Sequence, residues 1–295
     1  MRHAGSWRMW CMPMLHCRHP MRMCTKNPRT MARKKIRPSE SARHVGRLQQ
    51  PVDGRKPDTM PLNKYVAHCG ICSRRKAAEL IRQGHVQVNG NTILEPGFQV
   101  TGREHITYNK KPIKPAQQKV YILLNKPKGY LTTTHDPKNR KTVMELVQTA
   151  YSGRLFPVGR LDRNTSGLLL LTNDGELAQK LAHPSYEVKK IYELRLNKPL
   201  AESHFQQILD GVMLEDGVAK VDALAYLDAT RKNLGLEIHS GKNRIVRRIF
   251  AALGYEVEKL DRVMYAGLTK KNLPRGKWRY LTEKEVIWLK HFHPS

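Results

Sequence analysis

The sequence predicts an α+β protein made of a small module and a larger domain. Apolar residues at helical spacing and a hairpin turn follow one another within residues 60–108. Residues 109–118 are rich in lysine and proline, which predicts an extended linker. Residues 119–290 then alternate between short apolar runs typical of strands and segments with helical spacing. A chain of 295 residues is long enough for one large domain, or two unequal ones, with a substantial core.

The composition is strongly basic, with 53 Lys and Arg against 25 Asp and Glu and a formal net charge of +28. Such a charge says little about the fold but indicates a nucleic-acid partner first and an anionic membrane surface second. No apolar run of about 18 residues occurs, so no transmembrane helix is expected. The five cysteines form no even, regular framework. This favours a reducing, cytoplasmic setting.

Residues 1–59 are expected to be either a basic disordered tail or a misassigned N-terminal extension. They contain 14 Lys and Arg against 3 acidic residues and show no lasting helical or strand period. Three interpretations are open. The tail is a basic arm that binds RNA phosphates, or it is an organelle transit peptide, or it precedes the true initiator methionine, Met31 or Met60, and is not part of the protein. The abrupt change in composition at Met60 favours the extension. A group of cysteines and histidines at 11–24 has no paired Cys-x-x-Cys spacing, so we predict no metal site.

The small module is predicted to contain two helices and a hairpin. Apolar side chains at 62–69 share one helical face. Ser73 is expected to cap a second helix that stops at Gly84. Residues 86–88 alternate like a strand, and Asn89-Gly90 is a strong hairpin signal.

The cations of this module cluster at the start of the second helix and along one of its sides. This arrangement predicts phosphate binding, since side-chain charge and the helix dipole act together there. The residues are Arg74, Arg75, Lys76 and Arg82. A Cys-x-x-Cys redox motif at 69–72 is disfavoured, because no βαβ pattern follows and Cys69 belongs to the apolar face.

Residues 62–90 resemble the S4 domain, a small RNA-binding fold. The resemblance rests on the whole segment and most of all on Ser-Arg-Arg after a glycine and the closing Val-Asn-Gly. It implies that residues 60–108 bind RNA. The linker at 109–118 would tether this domain to a second site and raise its effective concentration there.

The larger domain is predicted to mix strands and helices along its length. A helix at 176–182 should begin at a cap on Asn173 or Asp174 and end at His183-Pro184, because the residue before proline avoids helix. A short helix is expected at 144–147. The predicted strands are 120–124, 168–171, 189–196, 218–225 and 234–239.

A polar loop precedes the most apolar of these strands. Four consecutive leucines, 168–171, predict a strand buried on both faces. Such a strand would hold the preceding loop rigidly, and the loop places Asp162 between Arg160 and Arg163. Asp162 is either a reactive carboxylate or an ordinary loop acid paired with one of those arginines.

A second basic segment spans residues 241–250. Its apolar residues predict a helix with Asn243 as a possible cap and a stop at Gly254. Four cations occur within seven positions, namely Lys242, Arg244, Arg247 and Arg248. Two interpretations are open. The cations form a solvated face that binds RNA phosphate, or one of the arginines reaches into a site and pairs with a carboxylate.

Together these segments are similar, in order and spacing, to the RsuA/RluB-type ribosomal RNA pseudouridine synthases. The matching stretches are PVGRLD at 157–162, TSGL at 165–168, TNDGEL at 172–177, HP at 183–184, KIY at 190–192 and GKNRIVRR at 241–248. The similarity covers residues 60–287 and implies a catalytic domain at 119–290 with a mixed, mainly antiparallel sheet. Ile245 stands where family members often have Gln, and Ser240 where they often have Glu, which leaves substrate detail in doubt.

The resemblance implies that Asp162 is the catalytic aspartate, Tyr192 the active-site tyrosine and Arg247 the arginine paired with the aspartate. Isomerising uridine moves its C1′ bond from N1 to C5 and gains or loses no group, so no cofactor or metal is expected. The remaining candidates for RNA contact are Arg160, Arg163, Lys242, Asn243, Arg244 and Arg248.

The expected partner is then ribosomal RNA or a pre-ribosomal particle. The protein is expected to be a monomer and not to bind a membrane. The sequence of residues 164–175 resembles that of enzymes acting on large-subunit rRNA more than that of enzymes acting on small-subunit rRNA. Two other classes remain open: a non-catalytic S4-type RNA-binding or ribosome-assembly protein, and a membrane-surface protein. The second is weaker because no amphipathic helix with a large apolar face accompanies the charge.

Overall fold

The computed structural model describes residues 59–115 and 118–291. The predicted basic tail and its group of cysteines and histidines lie outside this part of the chain. The described helices are α1 Leu62–His68, α2 Arg74–Arg82, α3 Val143–Val147, α4 Gly175–Ala182, α5 Glu202–Asp210, α6 Ile245–Ala252 and α7 Glu283–Lys290, with a 3-10 turn at Pro184–Tyr186.

The described strands form one small sheet, one large sheet and two separate strand pairs. The strands are β1 Met60–Pro61, β2 Val86–Val88, β3 Asn91–Thr92, β4 Gln99–Val100, β5 Ile106–Tyr108, β6 Lys111–Pro112, β7 Tyr121–Lys126, β8 Phe156–Val158, β9 Ser166–Thr172, β10 Lys190–Leu196, β11 Val212–Leu214, β12 Gly217–Ala219, β13 Ala223–Tyr226, β14 Asn233–Ile238, β15 Val257–Tyr265, β16 Leu268–Thr269 and β17 Trp278–Tyr280.

The small module has its own apolar core beneath α1 and α2, and its sheet runs β3-β2-β5-β6. Ser73 caps α2 as predicted, since its Oγ accepts a hydrogen bond from the Lys76 amide at 3.2 Å. Asn89 and Gly90 both adopt positive φ, 51° and 86°, which is the turn that joins β2 to β3. The predicted helices and hairpin are therefore confirmed.

The segment expected to be a linker begins with a strand. Asn109 and Lys110 adopt φ of 48° and 63°, and this tight turn brings Lys111–Pro112 back onto β5. Pro112 is tolerated because β6 is an edge strand with one side free of ladder bonds. The polar composition of this segment predicted that it would be exposed to solvent, and Lys111 and Pro112 are indeed exposed. It did not predict the strand.

The larger domain is built on a nine-stranded sheet in the order β13-β14-β10-β15-β9-β7-β17, with β16 on β15 and β8 on β9. Of the described pairs in this sheet, β15 with β9 is parallel and the others are antiparallel. The mixed, mainly antiparallel sheet is thereby confirmed.

The leucine strand β9 is buried on both faces, as predicted. Leu168 and Leu170 belong to one apolar cluster, whereas Leu169 and Leu171 belong to another on the opposite side of the sheet. At its start Gly167 has φ 113°, and an added Cβ would lie 2.3–2.4 Å from backbone atoms of Arg262. The glycine therefore permits the close approach that forms the parallel pair with β15.

The helix after this strand has the cap that the sequence indicated. The Asp174 carboxylate accepts hydrogen bonds from the amides of Glu176 and Leu177 at 3.2 and 3.3 Å. The helix gives way to a 3-10 turn at His183-Pro184. Of the two proposed caps, Asp174 is the one used.

Two expectations were wrong in detail, and several elements were missed. The single strand predicted at 218–225 is two strands, because the chain turns at buried Val221 and passes from the β11–β12 pair to the large sheet. Asn243 does not cap α6; Arg244 occupies that position at φ 47° without a capping hydrogen bond from its side chain. The strand β15 and helices α5 and α7 had not been predicted. In the described ranges, no helix is long and apolar enough to cross a membrane.

Candidate active site

A cavity of about 610 Å³ opens where β9 begins. Its wall combines the loop before β9 with side chains from β10, β15 and α6. A second cavity of about 500 Å³ shares Asp162 and Arg160 with the first. The strand order brings these distant segments together, since β9 lies beside β15, which in turn lies beside β10.

The backbone on both sides of Asp162 is held by buried polar contacts. Lys126 Nζ donates to the carbonyl oxygens of Asp162 and Thr165 at 3.0 and 2.8 Å, and also to that of Pro127 at 3.2 Å. Thr132 Oγ1 donates to the carbonyl of Leu161 at 2.7 Å. The carboxylate of Asp162 is half-buried at the cavity wall. The loop is therefore anchored from below while the side chain remains accessible.

Lys126 is an unusual anchor because its side chain is fully buried. Burial lowers the pKa of Lys126 to about 8, although the nearby Asp162 carboxylate opposes the change. Lys126 was not predicted as a site residue, because it follows the predicted strand 120–124 and precedes a proline.

Tyr192 lies on β10 and lines the same cavity as Asp162. Its neighbours across the sheet are Leu236 on β14 and Arg262 on β15. Its ring is half-buried and packs against apolar clusters on two sides. The structure thus brings together the aspartate and the tyrosine that the sequence proposed.

Arg247 reaches the same cavity from α6, but its expected ion pair with Asp162 is not formed among the described residues. Its guanidinium donates instead to the carbonyl oxygens of Val257 at 2.6 Å and Asn164 at 3.4 Å. Burial lowers the pKa of Arg247, while the Asp162 charge acts in the opposite direction. Arg247 therefore supports the loop that carries Asp162 and affects the carboxylate through space.

The exposed cations proposed for RNA contact largely gather around the second cavity. Four of them line it, namely Arg160, Arg163, Lys242 and Arg244, together with the neutral Asn243. Arg248 is different, because it donates to both carboxylate oxygens of Asp216 at 3.1 and 2.5 Å and lines neither cavity. Its charge is thus already compensated.

The cations of the small module lie on α2, away from the cavity walls that contain Asp162. Arg74, Arg75 and Lys76 are exposed in its first turn, and Arg82 is exposed in its last. Lys76 is bound to Glu79 at 2.8 Å. They form a separate basic surface.

The Cys-x-x-Cys pair does not favour redox chemistry. Cys69 and Cys72 are free thiols, and burial raises the pKa of Cys69 to about 12. The reactive thiolate is therefore scarce at neutral pH. Within the described ranges, no group of three His, Cys, Asp or Glu side chains could hold a metal ion.

Two protein-family models match the chain, one in each of its two parts. The RNA pseudouridylate synthase family model matches residues 120–252, and the S4 domain model matches residues 60–106. The chain is 42% identical to a ribosomal large subunit pseudouridine synthase B of Bacillus subtilis, over 76% of this chain and 93% of that protein.

Two further similarities extend the comparison. The chain is 38% identical to the protein of the same description in Vibrio cholerae, over 78% of this chain and 74% of that protein. It also resembles a crystal structure of a pseudouridylate synthase, with a TM-score of 0.58 and 29% identity over 78% of this chain and 99% of that one.

Proposed function

The chain belongs to the RNA pseudouridine synthase family, and we propose that it acts on large-subunit ribosomal RNA with Asp162 as its essential carboxylate. It is an enzyme that isomerises uridine in RNA. The observation that supports the proposed site is that Asp162 and Tyr192 line the same cavity, with Asp162 on a loop that Lys126 holds by hydrogen bonds. The relatives from Bacillus subtilis and Vibrio cholerae support the choice of large-subunit rRNA.

The reaction requires a nucleotide that is accessible on all sides. A uridine in a stacked helix is not, so it must be flipped out at a cost of a few kcal/mol. The cavity of about 610 Å³ has room for one nucleotide. The exposed cations Arg160, Arg163 and Arg244 lie beside Asp162, where phosphates on either side of the flipped nucleotide would bind.

Asp162 would act on C1′ of that nucleotide. Its carboxylate either attacks C1′, as in retaining glycosidases, or stabilises the electron-deficient sugar while the N1–C1′ bond breaks. Both roles need an ionised carboxylate, and Arg247 and Lys126 place positive charge close to it.

Tyr192 and Arg247 would assist in different ways. The Tyr192 ring, which lines the cavity, would stack on uracil while the detached base turns, and its hydroxyl would help to remove the C5 proton. Arg247 holds the carbonyl of Asn164 and so fixes the loop two residues after Asp162. Both roles require the cavity but no bound metal or cofactor.

The small module would bind RNA away from the reacting uridine. Its cations Arg74, Arg75 and Arg82 are exposed on α2 and have no ion-pair partner among the described residues. We further propose that the substrate is ribosomal RNA or a pre-ribosomal particle, that the protein acts as a monomer, and that it works in the cytoplasm.

Release of tritium from rRNA that carries uridine labelled at C5 tests this proposal. The wild-type protein should release tritium into water, because C5 loses its hydrogen when it bonds to C1′. Asp162→Asn should release none while it binds the RNA nearly as well. Asp210→Asn removes an exposed carboxylate at the end of α5 and should behave like the wild type.

The test also separates the alternative function. A wild-type protein that binds the RNA but releases no tritium would be a non-catalytic RNA-binding or assembly protein. Full tritium release by Asp162→Asn would contradict the assignment of the carboxylate and leave the family unaffected.

A further inference from the structure

Two buried side-chain atoms without a hydrogen-bond partner in the described part of the chain belong to one cavity wall. They are Thr165 Oγ1 and Arg262 Nη2, each on a residue that is 2% exposed. Both residues line the cavity that contains Asp162. Buried polar groups are nearly always paired. The two free atoms therefore mark the place where a ligand of this cavity supplies polar contacts.

Contacts within the sheet hold the Arg262 side chain in place and leave its Nη2 without a hydrogen-bond partner among the described residues. Its Nε donates to the carbonyl of Leu168 at 2.8 Å, and its guanidinium lies 4.4 Å from the centre of the Tyr265 ring. It is the cross-strand partner of Tyr192 in the β10–β15 register, so both side chains lie on the same face of the sheet. The free nitrogen is thus fixed next to the tyrosine.

The charge of Arg262 is not compensated within the described residues. No carboxylate forms an ion pair with it, and the adjacent Asp261 is bound by Lys270 and Arg275. Lys190 lines the same cavity, and its pKa is lowered to about 8 by burial and then by the charge of Arg262. This part of the cavity therefore favours a ligand that is electron-rich or becomes anionic.

We propose that Arg262 binds a carbonyl oxygen of the flipped-out uracil and stabilises the negative charge that the ring gains when the N1–C1′ bond breaks. This inference rests on the function proposed above. The electron pair of the broken bond stays on the ring, spread over O2 and O4. C5 then bonds to C1′ and loses its proton, while N1 gains one, so the ring is neutral again at the end.

The base suits this site better than a phosphate group. Phosphates of RNA keep much of their hydration, and the exposed Arg160 and Arg244 at the rim can bind them there. Arg262 is almost without solvent contact, so a phosphate would lose its water to reach it. A uracil carbonyl is neutral on entry and becomes charged only during the reaction, which is when a fixed cation lowers the barrier.

The test compares Arg262→Gln and Arg262→Lys with the wild type on a target RNA that contains uridine or 5-fluorouridine at the modified position. Loss of the target nucleoside is followed under single-turnover conditions by liquid chromatography with mass detection after digestion to nucleosides, because uridine and pseudouridine have the same mass and must be separated. With uridine, Arg262→Gln should be slower by about 100-fold and Arg262→Lys by about 10-fold, as for loss of one charge-stabilising donor. RNA affinity should change by less than about threefold.

Fluorine withdraws electrons and stabilises the ring anion without help from the protein. C5 of 5-fluorouridine has no proton to lose, so its product keeps the fluorine on C5 and takes up water at C6. The deficit of Arg262→Gln should therefore shrink to about 10-fold with 5-fluorouridine, a change that a purely structural role of Arg262 would not produce. Equal deficits on the two substrates would overturn the inference, and so would a wild-type rate for Arg262→Gln on uridine.

Three controls keep this result distinct from misfolding and from failure of the proposed function. Arg279→Gln removes a partly buried arginine that binds Glu285 elsewhere, and it should lower the melting temperature without lowering the rate. If Arg262→Gln does not fold, Arg262→Lys provides the same substrate comparison, with equal deficits again overturning the inference. Asp162→Asn measured in parallel shows whether the proposed reaction occurs. An inactive wild type would overturn both proposals, and an active wild type with an unaffected Arg262→Gln would overturn this one alone.

Discussion

Replacing Lys126 by methionine should change how the stability of the protein depends on pH. The substitution keeps the length of the buried side chain but removes the amine that donates to the carbonyls of Pro127, Asp162 and Thr165. In the folded protein burial lowers the pKa of this lysine from 10.5 to about 8. In the unfolded chain the lysine keeps its proton up to about pH 10.4.

The sign of the effect follows from the protons bound by each state. Between the folded and unfolded pKa values the unfolded chain holds the Lys126 proton and the folded protein has lost it, so stability rises with pH. The full shift corresponds to roughly 3 kcal/mol at about 1.4 kcal/mol per pKa unit. Between pH 7 and 9.5 the wild type should gain about 2 kcal/mol relative to Lys126→Met.

Urea denaturation of both proteins at pH 7, 8, 9 and 9.5 measures this difference. All other titrating groups are shared by the two proteins, so their contributions cancel in the comparison. A difference in unfolding free energy that stays constant over this range would refute the assigned pKa of Lys126 and the burial that causes it.

The same substitution should also lower activity. Without the Lys126 amine, the loop carbonyls of Asp162 and Thr165 lose a donor and the carboxylate loses its fixed position. A displacement of about 1 Å at a reacting group costs on the order of 100-fold in rate. Lys128→Met, which removes a neighbouring exposed lysine, should keep the wild-type rate.

Three further substitutions test the surroundings of the site. Arg247→Ala should reduce the single-turnover rate by about 100-fold with little change in RNA affinity, since its guanidinium supports the catalytic loop; a rate near that of the wild type would contradict this role. Arg163→Ala should leave the rate unchanged and reduce the slope of log affinity against log salt by about 1, measured by filter binding at several salt concentrations. Burial alone would raise the pKa of Asp261, but hydrogen bonds from Arg275 and Lys270 outweigh it and lower the pKa to about 2. Asp261→Asn should therefore cost about 3 kcal/mol of unfolding free energy at pH 7, and the difference from wild type in urea denaturation should shrink as the pH falls from 4 to 2.

The elements that the sequence predicted correctly are those with a strong local signal. The two helices of the small module, their hairpin and the leucine strand β9 each depend on spacing or turn chemistry within a few residues. By contrast, β15 carries charged and apolar residues without a clean alternation, because its neighbours on both sides and its close approach to Gly167 decide which positions are buried. Its place in the middle of the sheet follows from long-range pairing alone.

The candidate site shows the same division. Motifs identified Asp162, Tyr192 and Arg247, and the structure places all three on one cavity. The contacts beneath them could not be found in this way. Lys126 and Arg262 are held by hydrogen bonds to backbone carbonyls and by burial, and these depend on how β7, β9 and β15 lie side by side. Arg247 was expected to pair with Asp162 but donates to the carbonyls of Val257 and Asn164, and these contacts likewise depend on long-range packing.

The most direct test of the account is a map of pseudouridines in the rRNA of a strain that lacks this protein. One or more large-subunit positions should change from pseudouridine to uridine, and a plasmid with the wild-type gene should restore them. A plasmid that encodes Asp162→Asn at equal protein level should not. Restoration by Asp162→Asn, or an unchanged map in the deletion strain, would contradict the claim that this carboxylate isomerises uridine in ribosomal RNA.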